Sequence, residues 1–201
     1  MKKKIAKVDL LLLFLTVLYS VLGCVMIFSA SSVLTVLKQG VASNYYFIRQ
    51  CAILVISAIA TIIITRFPLK SYKYISYLLM ILIGASLVGL LLAGKITNGT
   101  KGWYDLGFFN FQPAEFAKSI IIIYLAFSYE DIVKKKETRA FIYFIPLFFA
   151  FVIALLVLKQ PDLGSAIIIG VLAILIFLAV PMPKKTRLRA NLVILAVAVI
   201  G

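Results

Sequence analysis

The chain has 201 residues, of which 64% are hydrophobic, and its mean hydropathy is +1.12. Soluble domains are usually about 45–50% apolar, so this composition excludes a soluble globular protein and indicates a polytopic membrane protein. The formal net charge is +14. The basic residues cluster in short loops between apolar runs, which is typical of membrane topology signals, and we expect no nucleic-acid binding.

Apolar runs that can cross a bilayer recur along the chain, since a crossing needs about 20 residues. They predict an all-α membrane protein with six complete transmembrane helices and the start of a seventh, forming a single domain over residues 1–201. Because the seventh run is only half complete at residue 201, we expect the sequence to be the N-terminal part of a longer protein. The predicted spans are 9–28, 47–65, 74–93, 114–129, 140–158, 164–181 and a last one from about residue 191.

The basic residues predict the orientation, because cytoplasmic loops carry an excess of Lys and Arg. One set of alternate loops holds fifteen of them and the other set holds five. We therefore predict a cytoplasmic N-terminus. The fifteen are Lys2, Lys3, Lys4, Lys7, Arg66, Lys70, Lys73, Lys134, Lys135, Lys136, Arg139, Lys184, Lys185, Arg187 and Arg189; the five are Lys38, Arg49, Lys95, Lys101 and Lys159.

The types of residue present restrict the possible chemistry. The chain has no histidine, so acid–base catalysis would need Asp, Glu, Lys or Tyr. Its two cysteines, Cys24 and Cys51, have no metal-site spacing, and we interpret them as small buried side chains. We predict no metal ion and no cofactor.

Two segments that we predict on the outer side begin a helix with Gln-Pro followed by an acid. In the first, Gln112 precedes Pro113, and Glu115 falls in the first helical turn with Lys118 on the same face. Such a pair inside a membrane is expensive and normally faces the protein interior. The alternative is an ion pair that only pins the helix.

The second segment repeats this pattern. Gln160 precedes Pro161, which we predict to open the next helix with Asp162 in its first turn. The alternative is that Asp162 only caps the helix. Together the segments predict a polar cleft at the outer membrane surface, with Lys101 and Lys159 as anion contacts. Trp103 can stack on a sugar, although anchoring in the interfacial aromatic belt is favoured.

These residues also carry a resemblance to a known family. The chain resembles the SEDS family (shape, elongation, division and sporulation), which includes RodA, FtsW and SpoVE. The matching motifs occur in family order over nearly the whole chain. They are MIFSASS at 26–32, NGTKGW at 98–103, FQPAEFAK at 111–118 and QPDLGSA at 160–166. The first motif, together with YFIRQ at residues 46–50, looks more like the FtsW branch.

The resemblance implies a ten-helix glycosyltransferase of the bacterial cytoplasmic membrane. Such an enzyme polymerises lipid II, the undecaprenyl-diphosphate-linked disaccharide pentapeptide, and works with a class B penicillin-binding protein among membrane lipids. It also implies that Glu115 and Lys118 are the intramembrane pair and Asp162 the acid beside the substrate cavity. The cavity would include Lys101, Trp103, Gln112 and Gln160.

The sequence departs from the family pattern at three points. Gly102 stands where the family usually has Arg, which places any phosphate contact there in doubt, and Ala114 replaces a usual Ser. The Asp regarded as catalytic in the family lies in a large external loop after the seventh span. We therefore expect no catalytic residue within this chain and no activity of these 201 residues alone.

Three functions remain open from the sequence. A glycosyltransferase needs a carboxylate base and cationic stabilisation of its leaving group. A transporter of the lipid-linked precursor needs polar groups at several membrane depths. An ion-coupled transporter using Glu115 is the third. The charges predicted within the membrane lie near its outer side, which favours the enzyme.

Overall fold

The computed structural model describes residues 9–34, 42–93, 102–107, 110–189 and 191–192. All six predicted spans are helical, while almost all of the seventh lies outside the described residues. The helices are α1 (Leu10–Leu34), α2 (Tyr45–Arg66), α3 (Leu69–Ala93), α4 (Pro113–Lys134), α5 (Ala140–Leu158) and α6 (Leu163–Ala179). Residues 184–189 form a further helical stretch.

Four of the described helices are long and apolar enough to cross a membrane: α1, α2, α3 and α5. Helix α6 is equally apolar but has 17 residues. Helix α4 has 22 residues and carries charged side chains near both ends, Glu115 and Lys118 at one and Glu130, Asp131 and Lys134 at the other. These charges, and not its length, separate α4 from the apolar spans.

The chain divides into two compact units, Met1–Phe67 and Pro68–Gly201. In the first unit α1 packs against α2, with the rings of Phe28 and Phe47 edge to face at 5.6 Å. The sulfur atoms of Cys24 and Cys51 are 4.0 Å apart as free thiols. The expected single domain over residues 1–201 stays a prediction.

In the second unit α4 packs against α3, α5 and α6. Its buried positions include Ala114 and Ala117, whose small side chains let neighbouring helices approach closely. Ile121 and Leu125 continue the same buried face, and Phe177 of α6 is fully enclosed. Packing against three helices screens one side of α4, but Glu115, whose side chain is 53% exposed, does not face the protein interior as the sequence analysis expected of this pair.

The segment before α4 contains an element that the sequence analysis did not predict. Two short antiparallel strands, β1 (Tyr104–Asp105) and β2 (Asn110–Phe111), pair Tyr104 with Phe111. The two rings stack at 6.4 Å, and Phe111 lies 4.9 Å from Phe116 in the first turns of α4. The two strands of this hairpin therefore place Tyr104 and Phe111 beside the start of α4.

Candidate functional site

The site is built around the first residues of α4. Pro113 occupies the beginning of the helix and is buried, as its missing N–H and fixed φ favour. Gln112 precedes it in an extended conformation, and its side chain forms no hydrogen bond to the α4 backbone. The carboxamide of Gln112 is therefore available for another partner.

That partner lies at the start of α6. Asp162 is the residue before the helix, and its Oδ1 accepts a hydrogen bond of 3.0 Å from the backbone N–H of Ser165. The prediction that Pro161 opens α6 and that Asp162 falls in the first turn was wrong. The helix begins at Leu163, because the carboxylate of Asp162 satisfies one of the free N–H groups that define a helix start.

The two Gln-Pro segments meet through these side chains. Nε2 of Gln112 donates a hydrogen bond of 3.2 Å to Oδ2 of Asp162. Each carboxylate oxygen thus accepts one hydrogen bond: Oδ1 from Ser165 in α6, and Oδ2 from Gln112, the residue before α4. Each oxygen retains a free lone pair, so Asp162 can cap α6 and still accept a further hydrogen bond.

Glu115 and Lys118 form the predicted pair, with Nζ of Lys118 2.6 Å from Oε1 of Glu115. The two partners differ in environment, because the Glu115 side chain is 53% exposed and that of Lys118 only 21%. Lys118 is thus the more enclosed charge and depends more on its partner. Since an (i, i+3) pair in water contributes only about 0.2–0.5 kcal/mol, the pair adds little helix stability and serves mainly to neutralise Lys118.

Gln160 points away from the carboxylate of Asp162 and into the protein. It is 1% exposed, and its Nε2 donates a hydrogen bond of 3.0 Å to the carbonyl of Leu87 in α3. Its Oε1 has no hydrogen-bond partner among the described residues. Gln160 therefore links the turn between α5 and α6 to α3, and it retains one buried acceptor.

The hairpin is attached to the same part of α3. The hydroxyl of Tyr104 donates a hydrogen bond of 2.7 Å to the carbonyl of Ser86. A Cβ atom at Gly89 would lie 2.7 Å from that hydroxyl, so glycine is required for this approach. Trp103, the neighbouring residue, is half-buried. Lys101 lies outside the described residues.

The sequence analysis missed a second polar cluster, at the opposite end of α4. Nζ of Lys73 lies 2.7 Å from Oδ1 of Asp131, which joins α3 to α4. Lys73 was predicted to lie in a loop, but α3 begins at Leu69 and includes it. Its pairing with Asp131 could have been anticipated only from the antiparallel packing of these two helices.

The connection between α4 and α5 carries a local ion pair outside the spans. Oε1 and Oε2 of Glu137 accept hydrogen bonds of 2.9 Å from Arg139, and two backbone N–H groups also bond Oε1. The Arg139 guanidinium and these N–H groups lower the pKa of Glu137 to about 2. Thr186 donates a hydrogen bond of 3.1 Å to the carbonyl of Thr138, which ties this connection to the segment after α6.

No group of three or more acidic, His or Cys side chains in the described part of the chain is arranged to hold a metal ion. The expected lack of a metal and of a cofactor remains a prediction. The polar groups of the site are a carboxylate, two carboxamides and an acid–base pair. Such groups bind hydroxyls, amides and phosphates through directional hydrogen bonds and charge.

The sequence of this chain matches a known protein family. Residues 9–201 match the sequence model FTSW_RODA_SPOVE, described as "Cell cycle protein". The chain is 32% identical over 193 residues to a Bacillus subtilis protein named "Probable peptidoglycan glycosyltransferase FtsW", with 94% of this chain and 47% of that protein covered. It is 35% identical over 185 residues to a Geobacter metallireducens protein of the same name, covering 88% and 48%.

Solved structures show the same fold. One belongs to a study described as "Structural coordination of polymerization and crosslinking by a peptidoglycan synthase complex", with a TM-score of 0.63 at 24% identity over 88% of this chain and 52% of that one. Another is a variant of the Thermus thermophilus rod shape-determining protein RodA, with a TM-score of 0.62 at 24% identity over 89% and 59%. The chain spans about half the length of the curated relatives it matches.

The predicted resemblance is therefore confirmed, including its closer similarity to FtsW sequences. The fold prediction is confirmed as well, since the helices of this chain superpose on polytopic membrane proteins of that family. This chain belongs to the FtsW/RodA/SpoVE family, that is, to the SEDS membrane proteins.

Proposed function

We propose that the full-length protein is a membrane glycosyltransferase that polymerises lipid II into the glycan strands of peptidoglycan. The observation that carries this proposal is the hydrogen bond between Gln112 and Asp162, which joins the two Gln-Pro segments into one polar site. Family membership and the names of the curated relatives support the same reaction.

In this reaction a sugar hydroxyl of one lipid II molecule attacks the anomeric carbon of a second lipid-linked glycan. A new glycosidic C–O bond forms, the bond to the diphosphate oxygen breaks, the hydroxyl proton passes to a base, and the diphosphate lipid leaves. Each oxygen of Asp162 keeps a lone pair that can orient a hydroxyl, and Lys101 and Lys159, the anion contacts predicted from the sequence, would provide positive charge for the diphosphate. We assign these residues to binding and positioning. We assign the catalytic base to a part of the full-length protein that aligns with the region of the relatives that this chain does not cover.

The site faces the outside of the cytoplasmic membrane in this proposal. Fifteen basic residues in one set of loops against five in the other favour a cytoplasmic N-terminus. Helices α4 and α6 start at the same end of their unit, because Gln112 and Asp162 are in contact. Lys134 at the end of α4 and Lys184 and Lys185 after α6 belong to the basic loops, which favours the opposite, outer side for the site.

The protein partner would be a class B penicillin-binding protein that crosslinks the glycan product. The similar structure from a peptidoglycan synthase complex supports a shared assembly of polymerisation and crosslinking. Transport of lipid II is the competing function. The pair of Lys73 and Asp131 favours it, since it adds charge at the opposite end of the unit and transport needs polar groups at several depths.

The deciding experiment uses purified full-length protein in vesicles with lipid II labelled on its peptide. We expect long glycan strands, separable by gel electrophoresis, and no more labelled lipid crossing the bilayer than in empty vesicles. Asp162→Ala should lower polymerisation at least tenfold. Movement of lipid II across the bilayer without polymer formation would reject the enzyme and support the transporter.

A further inference from the structure

A groove lies at the end of the second unit where α3 begins and α4 ends. Its volume is about 450 Å³, within the range of sites that bind small molecules. One wall is the first turns of α3 and the other is the last turns of α4. The lining residues are Leu69, Lys70, Lys73, Tyr74, Phe127, Glu130, Asp131 and Lys134.

The charges of this groove do not balance. Lys73 pairs with Asp131 at 2.7 Å, and Lys134 pairs with Glu130. Lys70 is exposed and forms no ion pair with any other described residue. Three lysines against two carboxylates leave one net positive charge, with Lys70 as the cation that lacks an acidic partner.

An apolar trough continues from the groove along the same two helices. It has a volume of about 330 Å³ and shares Leu69 and Phe127 with the groove, so the two spaces adjoin. Ile122 and Ile123 lie in its wall and are exposed, and Ala126 widens it because its side chain is short. The trough therefore leads from charged side chains at the end of the helices into the apolar part of the span.

We propose that this combined groove and trough binds an anionic phospholipid, with its phosphate beside Lys70 and Lys134 and an acyl chain in the trough. Charge complementarity selects the occupant, because a zwitterionic headgroup would gain less from a net positive groove. A free anion would leave the trough unfilled. Basic pockets between transmembrane helices are a general way of holding anionic headgroups. The inference rests on the membrane fold and not on the proposed reaction.

Native mass spectrometry of the full-length protein in detergent tests this site, with dioleoyl phosphatidylglycerol and dioleoyl phosphatidylcholine as probes. We expect one tightly retained phosphatidylglycerol and weaker retention of phosphatidylcholine. Lys70→Gln should raise the Kd for phosphatidylglycerol about fivefold, and Lys70→Gln with Lys134→Gln about thirtyfold, from a contribution of about 1 kcal/mol per lysine. Neither change should alter the Kd for phosphatidylcholine more than about twofold, because both act on the headgroup charge.

The matched control is Lys184→Gln with Lys185→Gln, which removes two exposed lysines at the same end of the unit. It should leave the Kd for phosphatidylglycerol unchanged. Ala126→Phe, which fills the trough, should weaken both lipids equally. Three results would each overturn the proposal. The first is equal binding of the two lipids to unmodified protein, and the second is an equal loss of phosphatidylglycerol affinity in the control variant. The third is the absence of bound lipid because another segment of the protein fills the groove. A lost lipid site would leave the polymerisation assay unaffected, so the two proposals fail separately.

Discussion

The two ends of α4 carry polar residues in different ways. At its start, the partners come from distant parts of the chain, with Gln112 bonded to Asp162 and the nearby Gln160 bonded to Leu87. At its end, a local ion pair between Glu130 and Lys134 stands beside the longer-range ion pair between Lys73 and Asp131. The first arrangement fixes geometry through directional hydrogen bonds between segments, whereas the second places charge near an open groove.

This difference suggests different roles. Side-chain hydrogen bonds between separate elements hold polar atoms in defined positions, as a site for a large polar substrate needs. Paired and unpaired lysines around a groove attract negative charge without fixing one geometry. The start of α4 is therefore the better candidate for chemistry, and its end is the better candidate for contact with lipid.

The largest effect is expected for Asp162→Ala. The change removes the cap of α6, worth about 1 kcal/mol, and a hydrogen bond to a charged group, worth about 1.5–3 kcal/mol. We expect a loss of stability of about 2.5–4 kcal/mol together with the loss of polymerisation. Asp162→Asn keeps an oxygen for the cap and should cost less than half as much stability, measured by thermal unfolding in detergent. Equal stability of the alanine variant and unmodified protein would show that the bonds of Asp162 contribute nothing.

A comparable loss of activity is expected for Glu115→Ala, because it leaves the enclosed charge of Lys118 without a partner. We expect growth supported by the full-length protein to be abolished, as measured by complementation of a depleted strain. Exchanging the two residues, Glu115→Lys with Lys118→Glu, separates the roles. Restored growth would identify the pair as purely structural, and continued failure would support a direct role at the site. Normal growth of the Glu115→Ala strain would contradict both.

A smaller effect is expected where the hairpin meets α3. Gly89→Ala would place a methyl group 2.7 Å from the Tyr104 hydroxyl, so the tyrosine side chain must shift, at a cost of about 1–3 kcal/mol. Tyr104→Phe removes the clashing oxygen and costs only about 1 kcal/mol for its hydrogen bond. The double variant should therefore be more stable than Gly89→Ala alone. Additive losses in Tm would indicate that the tyrosine does not lie against Gly89.

The smallest effect concerns pH and the connection after α4. The Arg139 guanidinium and the neighbouring N–H groups lower the pKa of Glu137 from its ordinary value of 4.5 to about 2. A lowered pKa in the folded state means that Glu137 stabilises the fold fully above about pH 4.5 and loses this contribution as pH falls towards 2. The Tm difference between unmodified protein and Glu137→Gln should therefore be constant from pH 5 to 7 and shrink below pH 4. A difference that grows on acidification would contradict this sign.

The sequence predicted the helices and the meeting of the two Gln-Pro segments, but not the contacts around them. The helices were predictable from the sequence because a bilayer requires long apolar runs, a requirement that α1, α2, α3 and α5 meet in full. The bond from Tyr104 to Ser86 was not predictable, because a hydroxyl bonded to a helix carbonyl leaves no spacing pattern. Lys73 was misread for a related reason, since a basic residue at a helix start resembles a topology signal.

The most direct test of the central claim is a double-mutant cycle between Gln112→Ala and Asp162→Ala in the full-length protein, with polymerisation of lipid II as the readout. If the two side chains act as one hydrogen-bonded unit, the double variant should be no slower than Asp162→Ala alone, and the coupling should exceed about 1 kcal/mol. Losses that multiply, with coupling below about 0.5 kcal/mol, would show that the two Gln-Pro segments work independently.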